Sequence, residues 1–154
     1  MRRWLFPVTA VLLGVAIGLA AFTFVYAKGH SYLGSDPAAC ANCHIMDDHY
    51  DAWAKSSHRA VAGCNDCHTP HATLPKYYVK AKNGFWHSVY FTTGTFPDPI
   101  RITGPNRDVV QEACRYCHAP ITESIDHGVP AGNDQSAEPL DCTRCHRHVG
   151  HWLR

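Results

Sequence analysis

The pattern C-x-x-C-H occurs four times in this chain: "CANCH" at 40–44, "CNDCH" at 64–68, "CRYCH" at 114–118 and "CTRCH" at 142–146. These motifs use all eight cysteines, as the pairs Cys40/Cys43, Cys64/Cys67, Cys114/Cys117 and Cys142/Cys145. Two thiols at this spacing can add across the two vinyl groups of one haem, and the next residue can bring an imidazole up beneath the iron. Each motif therefore reads as one covalent haem c attachment. Zinc held in Cys₄ sites is the competing use of such pairs, and disulfides closing two-residue loops would be poor staples. Histidine is 12 of 154 residues, so its chance appearance after all four pairs is an event of roughly a few in 10⁵. The pattern implies four covalently bound haem c groups.

That count limits the fold. Residues 28–154 leave about 32 residues per haem, too few for a full apolar core. The expected architecture is mainly α with much irregular loop: one N-terminal transmembrane helix plus a compact haem-cored multihaem cytochrome c domain. "TTGTFPDPIRITGPN" (92–106) and "GVPAGNDQSAEP" (128–139) have loop composition, the second a surface excursion. "RDVVQEACRYCH" (107–118) predicts a helix with Asn106 as its N-cap.

Leu5 to Ala27 contains no charged residue. At about 1.5 Å per residue this run spans roughly 34 Å, enough for a hydrocarbon core of about 30 Å. Arg2 and Arg3 ahead of it place the N-terminus in the cytoplasm. The expected layout is a cytoplasmic stub (1–4), a transmembrane anchor (5–27) and a periplasmic tetrahaem domain (28–154), single-pass in the inner membrane. "VYA" before Lys28 resembles a cleavage site, but the apolar run exceeds a signal h-region of about 7–15 residues. Gly14 and Gly18 form a weak small-residue pair, ordinary for a membrane helix. With 14 basic and 13 acidic side chains, no field points to nucleic acid.

Four irons offer eight axial positions. His44, His68, His118 and His146 are the default proximal ligands, and eight histidines remain: His30, His49, His58, His71, His87, His127, His148 and His151. A carrier of electrons favours a filled coordination sphere, so some of these serve as distal ligands. His58, in an expected helix six residues before Cys64, and His151, near the chain end, are placed best; His127, in a loop context, is a weaker candidate. His148 sits too close to His146 to reach another iron. The first motif extends to "CANCHIM", where His44 and Met46 compete for one position on one iron. Composition favours His44, although Met46 is the single methionine after the initiator.

Residues 74–91, "LPKYYVKAKNGFWHSVYF", are aromatic and basic without an acid. This composition suits a helix in the headgroup layer. Lys80, Gly84, His87 and Phe91 fall on one helical face. Lys80 and His87 would frame a gap at Gly84, where a quinol ring could approach, its hydroxyl held and its proton accepted. The competing use of the segment is a helix whose aromatics pack on haem.

The apolar anchor, the four C-x-x-C-H motifs, C-x-x-C-H-x-M at 40–46, "CNDCHTPH" at 64–71, "ITGPNRDVVQEACRYCH" at 102–118 and "CTRCHRHVGH" at 142–151 together resemble a known family. The chain resembles the NapC/NirT-type membrane quinol dehydrogenases over its whole length, and most the small-subunit (NrfH-type) branch of cytochrome c nitrite reductase. The resemblance implies oxidation of menaquinol at the outer membrane face and delivery of electrons to a pentahaem nitrite reductase catalytic subunit, which makes ammonium. It implies Met46 on the first iron, with the sixth position open or weakly filled. It makes His58 and His151 the distal ligands of two bis-histidine haems and Lys80 the quinol-site lysine. It further implies that the second haem, with His68, takes a lysine from the partner subunit. Where that branch has an aspartate near the first haem, this chain has His87, which could accept a proton, ligate iron or line the pocket. Two other functions fit the same motifs: service to another periplasmic reductase, and electron transfer without a quinol site.

Overall fold

In a computed structural model of the chain, residues 2–128 and 140–151 are described. The 128–139 excursion expected above lies almost wholly outside them. Among the described residues the fold is helical, with no strand. Helix α1 (Arg2–Tyr26) is the apolar segment, and 24 of its residues are long and apolar enough to cross a membrane. At about 1.5 Å per residue they extend about 36 Å. Its large side chains, such as Phe6 and Leu12, are exposed along its length. Pro7 sits near the start, where a missing N–H is tolerated.

Three 3₁₀ turns follow, over Gly29–Leu33, Pro37–Asn42 and His44–Met46. Asp36 caps the second through a bond from Ala38 N (2.9 Å), and Pro37 opens it with the φ a helix start needs. Next come α2 (Asp47–Ala54), α3 (Cys64–His68) and the long α4 (Thr73–Thr93). Gly94, at φ 65°, closes α4 in the left-handed conformation that glycine adopts without Cβ strain. Helices α5 (Gly104–Cys117), α6 (Ala119–Gly128) and α7 (Cys142–Cys145) complete the order.

Two local expectations are corrected. Helix α5 begins at Gly104 with Thr103 as N-cap, not at Asn106, because Pro105 belongs in the first turn, where its absent N–H costs nothing. His58 lies in a run of turns, not a helix: α2 stops at Ala54, and Trp53 Nε1 donates to Ala62 O (2.9 Å), closing the 55–61 loop.

Buried residues are few. Among the described residues only Ala39, Ala113 and Thr69 are buried, and no large side chain is fully so. The principal helix contact is α3 on α5, which brings the second and third attachment motifs together, and α4 packs beside the Gly29–Leu33 turn at the end of α1.

Candidate haem and quinol sites

Three of the four motifs share one local geometry. Cys64–His68 is itself a helical turn, with Asp66 reaching back to accept from Gly63 N (2.8 Å). In the third and fourth motifs the histidine N–H donates back to the first cysteine's carbonyl: His118 to Cys114 and His146 to Cys142, both at 2.9 Å. This winding puts the imidazole on the same side as the two thiols.

The first motif departs from that geometry. Cys43 is extended (φ −99°, ψ 115°), so the chain leaves one 3₁₀ turn and begins another at His44. Met46 N, rather than the histidine N–H, makes the return bond, to Cys43 O at 2.8 Å. His44 is exposed, with Phe91 of α4 edge-on at 6.4 Å, while Met46 is half-buried.

Two histidine pairs face one another. The His58 and His118 rings are 6.1 Å apart between centres, with planes at 75°; His68 and His151 are also 6.1 Å apart, with planes at 5°. A metal–imidazole bond of about 2 Å, plus about 1.1 Å from nitrogen to ring centre, places two axial imidazoles about 6.2 Å apart. The ring separations of both pairs match that spacing. The Nδ1 of His58 lies 3.0 Å from Val149 O, the bond that leaves Nε2 to the metal. Burial, then repulsion from His151, His49 and His87, lowers the pKa of His68 to about 4. His68 is thus neutral at pH 7, the state in which its nitrogen carries a lone pair for iron.

The pairing bears on the partner lysine expected at the second haem. The His151 ring lies 6.1 Å from that of His68, so this chain offers a candidate of its own for that position. Among the described side chains no ring stands opposite His146; the side chain of His127, in the last turn of α6, lies outside them. His71 stacks face to face on Tyr116 at 4.0 Å. Spacing gave no weight to His49, yet its ring lies 5.2 Å from that of His151 and its buried Nδ1 lacks a partner. Its place three residues after Met46, on one face of α2, was the available signal.

The attachment sites adjoin in chain order. Cys40 of the first motif lies beside Cys64 of the second, Cys67 of the second near Cys117 of the third, and Cys114 of the third beside Cys142 of the fourth. Neighbouring Cys64 and Lys80 draw the free Cys40 thiol down to about 7 despite its burial; joined to haem as a thioether it no longer titrates. With so few buried side chains of its own, the chain has the composition of a fold whose apolar interior is porphyrin.

Helix α4 carries the other candidate site. Lys80 Nζ donates to Gly34 O, Lys76 Nζ to Ser35 Oγ (3.2 Å) and Tyr77 Oη to Leu33 O (3.5 Å). These bonds tie α4 to the turn that emerges from the apolar helix. Burial and neighbouring Lys76 lower the Lys80 pKa, while the Cys40 thiol opposes the shift. Lys80 thus stands between the first attachment motif and the end of α1. His87 is two turns on, about 10.5 Å along the axis. Partial desolvation lowers its pKa, and it lies near enough to His68 to oppose a charge there. A Cβ placed on Gly84, between them on the same face, would meet no heavy atom within 4 Å.

A helical chain with an apolar N-terminal span, repeated thioether motifs and paired imidazoles is a membrane-anchored c-type cytochrome. It belongs to the NapC/NirT cytochrome c family: the family's N-terminal region matches residues 2–154. That membership implies covalently bound haem c. The chain is 38% identical to the cytochrome c-type protein NrfH of Wolinella succinogenes, over 92% of this chain and 82% of that one. It is 34% identical, with the same coverages, to the cytochrome c nitrite reductase subunit NrfH of Nitratidesulfovibrio vulgaris. Its fold is similar to a chain in the crystal structure of the cytochrome c nitrite reductase NrfHA complex bound to the HQNO inhibitor. There the TM-score is 0.61 at 30% identity, over 91% of this chain and 88% of that one.

Proposed function

We propose that this chain is a membrane-anchored tetrahaem cytochrome that oxidises menaquinol and passes the electrons to a periplasmic pentahaem nitrite reductase, where nitrite becomes ammonium. The observation that carries this reading is the convergence of three features at one point: the irregular first motif, Lys80, and the turn that leaves the apolar helix. Quinol is a lipid-phase substrate, so its oxidation belongs where a haem attachment meets the membrane end of the molecule. The likeness to a solved complex holding HQNO supports the same assignment.

The chain's residues divide the work. The eight cysteines fix four haems, which supply one-electron carriage when bound. Met46 takes the first iron, freed to do so by the extended Cys43 that turns His44 toward Phe91. His68 with His151, and His118 with His58, fill the second and third. His146 would hold the fourth; the partner's lysine is expected from the resemblance at the second haem, where this chain's own His151 stands as the alternative ligand. Lys80, held by Gly34 O at the membrane side, positions a quinol oxygen. His87, on the same face of α4 with a lowered pKa, accepts a proton. With Arg2 and Arg3 in the cytoplasm, the haem domain lies in the periplasm beside its partner.

The test is turnover of the purified complex. It should oxidise menaquinol analogues and reduce nitrite, and HQNO should inhibit the quinol reaction. A complex that takes electrons from small dyes but never from quinol analogues would refute the proposal.

A further inference from the structure

The fourth attachment motif is held by a polar clamp that the haem chemistry does not itself require. Helix α7 packs on α5 and on no other described element. Three α5 side chains reach across, all turned toward residues 140–143. Arg107 pairs with the carboxylate of Asp141. Gln111 donates through Nε2 to Asp141 Oδ1 and to Thr143 Oγ1 (3.3 Å), and accepts from Cys142 N at 2.9 Å through Oε1. Arg115 donates to Leu140 O at 3.1 Å. Asp141 in turn caps α7, accepting from Thr143 N (3.0 Å) and Thr143 Oγ1 (2.7 Å). These bonds hold its carboxylate well below the usual range.

Gln111 is central because both ends of its amide are used on the same short segment. It also lies three residues before Cys114, the thiol that adjoins Cys142. The helix that carries the third haem thus grips the backbone N–H of the residue that begins the fourth attachment. We propose that Gln111, with Asp141, is a positioning residue for electron transfer between the third and fourth haems: the clamp fixes the orientation of the fourth haem relative to the third. Thioether bonds and His146 would retain the fourth haem without the clamp, but they fix it only to a four-residue helix whose own placement depends on α5. Residues after the motif are anchored elsewhere, through His58 to Val149 O and the His68–His151 pair. Loss of the clamp therefore frees the fourth site alone.

This inference rests on the function proposed above, and its test separates the two. In the intact complex, Gln111→Ala should keep four haems and leave the signals of the second and third haems in place. It should shift and broaden the electron paramagnetic resonance signal of the fourth. Reduction of the cytochrome by a menaquinol analogue should keep its rate, while reoxidation by nitrite through the partner slows severalfold. Asp141→Asn keeps an Oδ1 that accepts from Gln111 Nε2 and Thr143 N and loses only the Arg107 ion pair, so it should leave the signal and the reoxidation rate near native. Unchanged resonance and reoxidation in Gln111→Ala would overturn the proposal, as would an Asp141→Asn variant as impaired as Gln111→Ala. The resonance of the oxidised complex needs no quinol, so it reports on the clamp even if quinol proves not to be the donor.

Discussion

Replacement of His151 by alanine tests the axial assignment where structure and family resemblance part company. The His68 and His151 ring centres are 6.1 Å apart, against about 6.2 Å for two imidazoles on one iron. Alanine removes one ring and nothing that the other three sites use. The nearest replacement, His49, lies 5.2 Å from the ring it would replace and is turned by 68°, held by its backbone on α2. The second iron should therefore lose its sixth nitrogen, and with four attachment motifs about one quarter of the total haem should pass from low to high spin. Spin quantitation by electron paramagnetic resonance, with the optical spectrum of the oxidised protein, measures that fraction. Added imidazole should reverse it. Unchanged spin in the isolated cytochrome would refute the pairing. A change seen only when the partner subunit is removed would return the second haem to the partner's lysine.

Other outcomes follow from the same geometry. Met46→His should convert the first haem toward low spin and slow quinol oxidation, read by spectrum and stopped flow; no change would return that iron to His44. Lys80→Ala removes the bond to Gly34 O and should lower quinol oxidation about tenfold, equivalent to about 1.4 kcal/mol, while dye-driven haem reduction stays constant. The two bis-histidine haems should give distinct low-spin signals, because one ligand pair is near perpendicular at 75° and the other near parallel at 5°. Oxidised-state spectra at low temperature check this.

The parts of the molecule that local spacing dictates were legible in the sequence. The apolar run gave α1, and the aromatic-basic segment gave α4, which runs from Thr73 to Thr93 around the predicted stretch. The attachment cysteines follow from thioether chemistry alone. The start of α5 was missed because Asn106 is a strong cap, whereas Thr103-Gly104-Pro105 exploits the missing proline N–H instead. The turn around His58 was missed because its closure depends on a tertiary bond from Trp53 to Ala62 O. The pairing of histidines was not readable at all: which ring faces which is decided by α3 packing on α5 and by the chain end folding back. Gln111 carried a signal only in hindsight, as a polar residue one turn before a haem cysteine on an otherwise amphipathic helix.

The central claim is that electrons from menaquinol reach nitrite through this cytochrome. The most direct measurement reconstitutes the complex in lipid vesicles and counts menaquinol oxidised against ammonium formed. Nitrite to ammonium takes six electrons and each quinol gives two, so the account predicts three quinols consumed for each ammonium, with both processes stopped by HQNO. Ammonium formed from dye electrons at full rate, with no quinol consumed under the same conditions, would contradict it.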